Sequence, residues 1–274
     1  MSIEIKDLQA GYQDTIIIEK ADLVIPKGKI TMMIGQNGCG KSTLLKSLSR
    51  ILPIKRGEIL LNGASLKKMA QKEIAKKMAI LPQSPLVPEG ILVKDLVAYG
   101  RFPYQKPMAG LKKDDHEIIA WAMEKTGVLE LQNKRVEELS GGQRQRVWIS
   151  LALAQKTEIL VLDEPTTYLD MAHQLEILEL LKKLNEEEKT TIIMVIHELN
   201  HAAKFADHII GMKKGSVLFE GAPKDVITVE NLRELYEIEA VLMENEEKGY
   251  PICTDYSLRK GIRESEKTKT SKNL

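Results

Sequence analysis

The sequence predicts an α/β protein built on a parallel sheet, with a helical segment set into the middle of the chain. Three observations carry that prediction. Short β-branched or aliphatic runs alternate with stretches of helical spacing. Two of those runs, residues 159–162 and 191–196, are almost wholly apolar rather than alternating. Strands buried on both faces read this way, and they belong to parallel sheets covered by helices. Finally, residues 84–155 are mostly helical in pattern, carry prolines at 85, 88, 103 and 107, and are flanked by sheet-forming sequence on both sides.

Along the chain, residues 3–5, 15–18 and 22–25 read as short strands, closed by the turn Pro26-Lys27-Gly28. Residues 29–34 form a further strand that runs into a glycine-rich loop. Residues 42–52 have helical spacing, with Leu44, Leu45, Leu48 and Ile51 on one face and Pro53 as the stop. Residues 57–63 read as strand and turn, and 78–81 as a short strand. Within the helical segment, Lys112-Lys113 precede a helix at 114–126, and a second helix follows Ser140. The alternation then resumes with strand 159–162, helix 171–185 and strand 190–196. Residues 209–212 and 217–220, joined by Lys213-Lys214-Gly215-Ser216, carry a hairpin signal. Residues 257–274 are polar and basic with almost no apolar anchor, and are expected to be a disordered, solvated tail.

Composition excludes several classes of function. A chain of 274 residues can bury a substantial core as one large domain or two small ones. Charged residues make up 29% but cancel to a net +1, and aromatics are 4%. The basic excess and stacking rings used to hold nucleic acid are lacking, so no nucleic-acid partner is expected. The longest apolar runs fall far short of the roughly 20 residues needed to span a bilayer. Met1-Ser2-Ile3-Glu4 has neither the basic nor the apolar region of a signal peptide. Two cysteines, Cys39 and Cys253, make no disulfide framework, and a reduced, cytosolic compartment is expected.

The chemistry begins at Gly35-Gln36-Asn37-Gly38-Cys39-Gly40-Lys41-Ser42, which fits G-x-x-x-x-G-K-[ST]. Triphosphate oxygens need many donors in a small volume. Glycines let the backbone turn its N–H groups inward and let phosphate approach closely. The helix that follows adds its positive N-terminal end. Lys41 can reach the β- and γ-phosphates, and the Ser42 hydroxyl can ligate Mg²⁺. ATP is therefore the expected ligand, with Mg²⁺. The apolar strand 159–162 ends in Asp163 and Glu164, and ligands in open α/β sheets bind at the carboxyl ends of strands. Asp163 is expected to face Mg²⁺ through water, and Glu164 to lie by the γ-phosphate as the base for water.

Leu139-Ser140-Gly141-Gly142-Gln143, followed by Arg144-Gln145-Arg146, resembles the signature motif of ATP-binding-cassette (ABC) ATPases. Other cassette elements stand around it in order. Gln83 resembles the Q-loop glutamine, Tyr168-Leu169-Asp170 the D-loop, His197 the switch histidine and Tyr12 the aromatic that stacks on adenine. The similarity runs over about residues 2–240. It implies a P-loop NTPase of cassette type: a RecA-like parallel-sheet core, an N-terminal antiparallel β part and an inserted helical subdomain. The ATPase domain is then 1–240, with the helical subdomain at about 84–155, and 241–274 is a C-terminal extension.

The resemblance implies site residues as well. Glu164, His197 and Lys41 are the catalytic set, and Ser42, Gln83 and Asp163 the Mg²⁺ set. Nucleotide contact falls to Tyr12, Gly35, Asn37, Gly38, Cys39, Gly40, Lys41, Ser42, Thr43, Gln83, Asp163 and Asp170, and to Ser140, Gly141, Gly142 and Gln143. No role falls to the Cys39 thiol. Ser140 and its glycines form a second anion site, which in cassette pairs closes over ATP held by the other copy. A homodimer with two composite sites is implied. His116, His173, His201 and His208 are read as structural, and Trp121 and Trp148 as core.

A single cassette without fused membrane helices is similar to transporter subunits that act on a separate permease. Residues 99–104, 146–155, 164–170 with His173-Gln174, and 197–202 are similar to importers of ferric siderophores, haem and cobalamin. The implied function is to energise uptake of an iron chelate, a ferric siderophore first, with haem or cobalamin as alternatives. Residues 84–104 would dock the permease's coupling helix, an extracytoplasmic substrate-binding protein would act indirectly, and the chain would sit peripherally on the cytoplasmic face of the membrane. The rival reading is a soluble cassette with an assembly or regulatory role. Glu198, where aspartate is frequent, and Met171 after the D-loop depart from the family pattern.

Overall fold

The computed structural model describes residues 2–83, 85, 87–106 and 110–259. Three strands open the chain: β1 (Ile3–Tyr12), β2 (Thr15–Ile25) and β3 (Ile30–Ile34). Residues 15–18 and 22–25, expected as two strands, belong to one. β1 and β2 pair antiparallel along their whole length, with register shifts after Ile5, Leu8 and Ala10 that interrupt the ladder without ending it. Next come α1 (Lys41–Leu48), β4 (Ile54–Leu61), β5 (Ala64–Ser65), α2 (Gln71–Ala75) and β6 (Met78–Leu81). α1 is shorter than the leucine spacing predicts. Arg50 takes a left-handed φ of 55°, so Ile51 lies beyond the helix and is 59% exposed instead of joining its apolar face.

The middle of the chain supplies α3 (Val93–Ala98), α4 (Lys113–Lys125) and α5 (Gly141–Ala154). The alternation then returns with β7 (Ile159–Leu162), α6 (Met171–Glu188), β8 (Thr191–Val195), α7 (Leu199–Phe205), β9 (His208–Lys213) and β10 (Ser216–Gly221). Two short helices, α8 (Pro223–Val226) and α9 (Val229–Tyr236), lead to a hairpin of β11 (Ile238–Glu244) and β12 (Pro251–Leu258). The hairpin corrects the start of the expected disordered tail. Ser257 and Leu258 pair with Glu239 and Ile238, and this ladder orders them without burying them. Residues 260–274 lie outside the described residues, as do Ser84 and Pro107.

One ten-stranded sheet runs in the order β5-β4-β1-β2-β10-β9-β3-β8-β7-β6. Five neighbours, β9-β3-β8-β7-β6, are parallel. β5, β4, β1 and β2 are antiparallel. β10 joins the halves: it lies antiparallel on β9 but meets β2 through a single parallel pair, Ser216 with Lys20. The sheet therefore has a seam. Leu44, Leu45 and Leu48 of α1 pack across it, in one apolar cluster with Ile3 and Ile18 of the antiparallel half and Met33 and Ile210 of the parallel half.

The parallel strands are buried on both faces, as their composition predicts. Met33 joins that cluster, while its neighbours Met32 and Ile34 join a second one on the opposite face. The inserted helices share this second core rather than owning a separate one: Val93, Leu96, Ile119 and Trp148 pack in the same cluster as Leu160 and Leu162. Trp121 is only partly buried, with the Lys156 ammonium 3.7 Å from its ring centroid. Arg101 and Asp115 form a buried pair at 2.8 Å, and Arg101 also donates to the Ala154 carbonyl at 2.9 Å. Both charges are thus paired and hydrogen-bonded, the condition under which burial is tolerated. The pair ties the 3₁₀ turn Tyr99–Tyr104 to α4 and α5, which leaves Tyr99 and Phe102 exposed on the outside of the helical layer.

Candidate nucleotide-binding site

The loop between β3 and α1 has its backbone fixed from several sides. Gly35 has φ 147°, and a Cβ there would sit 2.2 Å from the Met212 carbonyl oxygen, so only glycine fits. Lys41 is 5% exposed. Its Nζ donates to the carbonyls of Gly35 at 2.8 Å and Gln36 at 3.0 Å, and lies 3.7 Å from Cys39 Sγ. The loop therefore wraps its own ammonium. From behind, Gly215 donates its N–H to the Cys39 carbonyl at 2.9 Å, and the Tyr236 hydroxyl accepts the Gly35 N–H at 3.1 Å.

Strand order explains why distant residues meet here. The loop follows β3, Asp163 and Glu164 follow β7, Gln83 follows β6, and His197 follows β8. All four strands are parallel neighbours, so their carboxyl ends share one edge. Ser42 Oγ donates to Asp163 Oδ1 at 2.9 Å. Burial pushes the Asp163 carboxyl above its ordinary range, against the pull of the Ser42 hydrogen bond. Glu164 has a left-handed φ of 53°, a conformation that costs on the order of 1 kcal/mol or more and turns its carboxylate back to the edge. One of its oxygens lies 2.7 Å from His197 Nε2. The other accepts from Thr167 Oγ1 at 2.9 Å and from the Gln83 amide.

A cavity of about 220 Å³ opens in front of the loop, lined by Tyr12, Ile17, Asn37, Gly38, Gly40, Lys41, Ser42, Thr43 and Glu164. The Tyr12 ring is partly exposed at one end, with Lys46 Nζ 5.8 Å from its centroid. An aromatic ring, the glycine-rich loop and a carboxylate thus line one cavity, which suits a base, a polyphosphate and an attacking water.

Ser140, Gly141, Gly142 and Gln143 are not among the cavity's lining residues. Ser140 caps α5: its Oγ accepts the Gln143 N–H at 3.3 Å, and the Gln143 side chain accepts the Ser140 N–H at 3.2 Å. Gly142 is pressed against the His173 ring, where a Cβ would come within 2.5 Å of a ring carbon. His173 in turn lies 2.8 Å from Asp170. Asp170 caps α6 by accepting the His173 N–H, a bond that holds its carboxyl below the usual range. Tyr168, beside it, is 89% exposed with φ 66°.

Four residues at the site are given no part in it by sequence reasoning. Thr167, three positions after Glu164, offers the only local signal. Lys46 looks like a solvated helix lysine, and His173 like an ordinary structural one. Tyr236, 201 residues from its partner, gives no signal at all.

Residues 18–167 match the family model for ABC transporters. The chain belongs to the ABC transporter family. Over 263 residues this ABC cassette is 52% identical to the iron(3+)-hydroxamate import ATP-binding protein FhuC of Bacillus subtilis (strain 168), covering 96% of this chain and 98% of that protein. A solved inward-facing ABC transporter assigned to the metal-chelate type aligns with a TM-score of 0.80 at 27% identity, covering 93% of this chain and 96% of that one. The ATP-binding cassette MJ0796, solved as a dimer in a post-hydrolysis state with ADP and Pi, aligns with a TM-score of 0.69 at 27% identity, covering 80% and 98%. The ABC fold expected from the sequence is the one observed, and this ABC chain is an ATPase.

Proposed function

We infer that this chain is the ATP-hydrolysing subunit of an importer of iron(III) chelates, ferric siderophores first, and that it drives a separate membrane permease. The observation that carries the reading is the 52% identity, end to end, with an iron(3+)-hydroxamate import ATP-binding protein. Among the described residues no helix is long and apolar enough to cross a membrane. The reading puts the chain peripherally on the cytoplasmic face, with the permease's coupling helix against residues 84–104. There Tyr99 and Phe102, the latter 75% exposed, offer apolar contact. An extracytoplasmic binding protein would deliver cargo to the permease. Deleting the gene should abolish growth on a ferric hydroxamate as sole iron source, and supplying the chain should restore it. Normal growth on ferric siderophores together with loss of haem or cobalamin use would sink the cargo assignment.

In the proposed site the phosphates lie on the loop amides, with Lys41 reaching the β- and γ-phosphates from its seat on the loop carbonyls. The Ser42 hydroxyl, the Asp163 carboxylate and the Gln83 amide carbonyl are all hard oxygen donors, and the first two are already in contact. That donor set fits Mg²⁺, which when bound neutralises charge on the phosphoryl oxygens. Glu164 accepts the proton of the attacking water, and His197 orients that water and the γ-phosphate. Ser140, Gly141, Gly142 and Gln143 stand apart from this cavity, and the proposal assigns them to the ATP of a second copy. Arginine in place of Ser140 should then stop hydrolysis while the isolated monomer still binds ATP at near wild-type affinity. Loss of binding in that monomer, measured by calorimetry, would remove the composite-site reading.

A further inference from the structure

We propose that Tyr236 is a positioning residue for ATP binding: its hydroxyl holds the first amide of the phosphate loop and so sets the loop's shape before nucleotide arrives. The proposal rests on Gly35–Ser42 being the phosphate site.

Gly35 is held at both of its peptide groups. Its carbonyl accepts from Lys41 Nζ at 2.8 Å, and its N–H donates to the Tyr236 hydroxyl at 3.1 Å. β3 ends at Ile34, so the Gly35 amide stands just beyond the strand, and the tyrosine supplies its acceptor. The next residue is tied to the same place, since Gln36 Nε2 donates to the Tyr236 backbone carbonyl at 3.4 Å. A buried amide left without an acceptor is costly. A loop deprived of this hydroxyl would rearrange around Gly35, and with it the carbonyl that seats Lys41.

The tyrosine is presented by a rigid element. It is the last residue of α9, which buries Leu232 and Leu235 completely. Thr228 caps that helix, accepting the Asn231 N–H at 3.1 Å. Lys213 closes the other end, donating to the Glu234 carbonyl and, at 3.0 Å, to Glu237. Arg233 and Glu239 add a two-pronged pair, with contacts of 2.7 and 2.9 Å, where the helix passes into β11. Burial raises the tyrosine hydroxyl to about 12, so it stays a neutral hydroxyl throughout the working pH range. An ordered loop binds phosphate without first having to be ordered, and that saving appears as affinity.

Tyr236→Phe removes one oxygen and keeps the ring that packs against the apolar core. In the full-length chain, the dissociation constant and KM for ATP should rise roughly five- to thirtyfold, while kcat at saturating ATP stays within about twofold. Amide exchange at Gly35, followed by NMR in the nucleotide-free chain, should quicken. Unchanged ATP affinity would overturn the proposal. So would a loss confined to kcat with KM intact, the mark of fewer folded molecules rather than a reshaped loop. Lys41→Ala measured beside it separates the two ideas. If that variant binds ATP normally, the phosphate-site assignment itself fails. If it loses ATP while Tyr236→Phe binds like wild type, only the role of Tyr236 fails.

Discussion

Exchanging Glu164 for glutamine slows ATP turnover by roughly 10²–10⁴-fold, the range typical for loss of a general base, and leaves nucleotide binding in place. The amide keeps the size of the side chain and can still face His197 Nε2, which now lies 2.7 Å from the carboxylate. What it loses is the capacity to take a proton. Thr167 and Gln83 still hold the group from the other side, so the left-handed turn at residue 164 keeps its anchors. Phosphate release measured at saturating ATP reads the effect. With hydrolysis stalled, the nucleotide-held dimer should accumulate and appear by size-exclusion chromatography only when ATP is present. Turnover equal to wild type would falsify the assignment of Glu164 as the base.

Lys41→Ala acts on the other half of the reaction. Its ammonium is the charge that the loop encloses, seated on the carbonyls of Gly35 and Gln36. Losing two charge-assisted contacts to phosphate costs about 3 kcal/mol or more, which weakens ATP binding by at least roughly 10²-fold. Calorimetry of the folded variant reads this directly. The substitution leaves the apolar packing of α1 untouched, since Leu44, Leu45 and Leu48 carry it. A binding defect should therefore come without comparable loss of thermal stability.

The legible parts of this protein are those where chemistry and local pattern coincide. The phosphate loop is readable because one short segment must combine glycines, a lysine and a hydroxyl between a strand and a helix. The place of Asp163 and Glu164 at the sheet edge is readable because an apolar strand ends abruptly in charge. The doubly buried strands are legible for the same reason: their composition records two covered faces. What sequence reasoning missed depends on tertiary contact. Nothing near residue 51 announces that Arg50 will turn left-handed and leave Ile51 outside α1. Ser257 and Leu258 read as tail because their order comes from backbone pairing with β11, not from burial. His173 reads as an ordinary helix residue until Gly142 is seen against its ring. Tyr236 becomes meaningful only when α9 is folded against the start of the phosphate loop.

The seam between Ser216 and Lys20 divides the sheet into two plates that share little backbone bonding. In the proposed pose the adenine rests on Tyr12, at the end of β1 in the antiparallel plate, and the phosphates rest on Lys41 and Ser42, over the parallel one. So placed, the nucleotide would lie astride the joint like a clasp, and α1, the helix at the phosphate end of that pose, is also the wedge packed along it. In that pose a change in the number of phosphates would act on both plates at once. A chemical event at one phosphorus atom thereby acquires a lever arm.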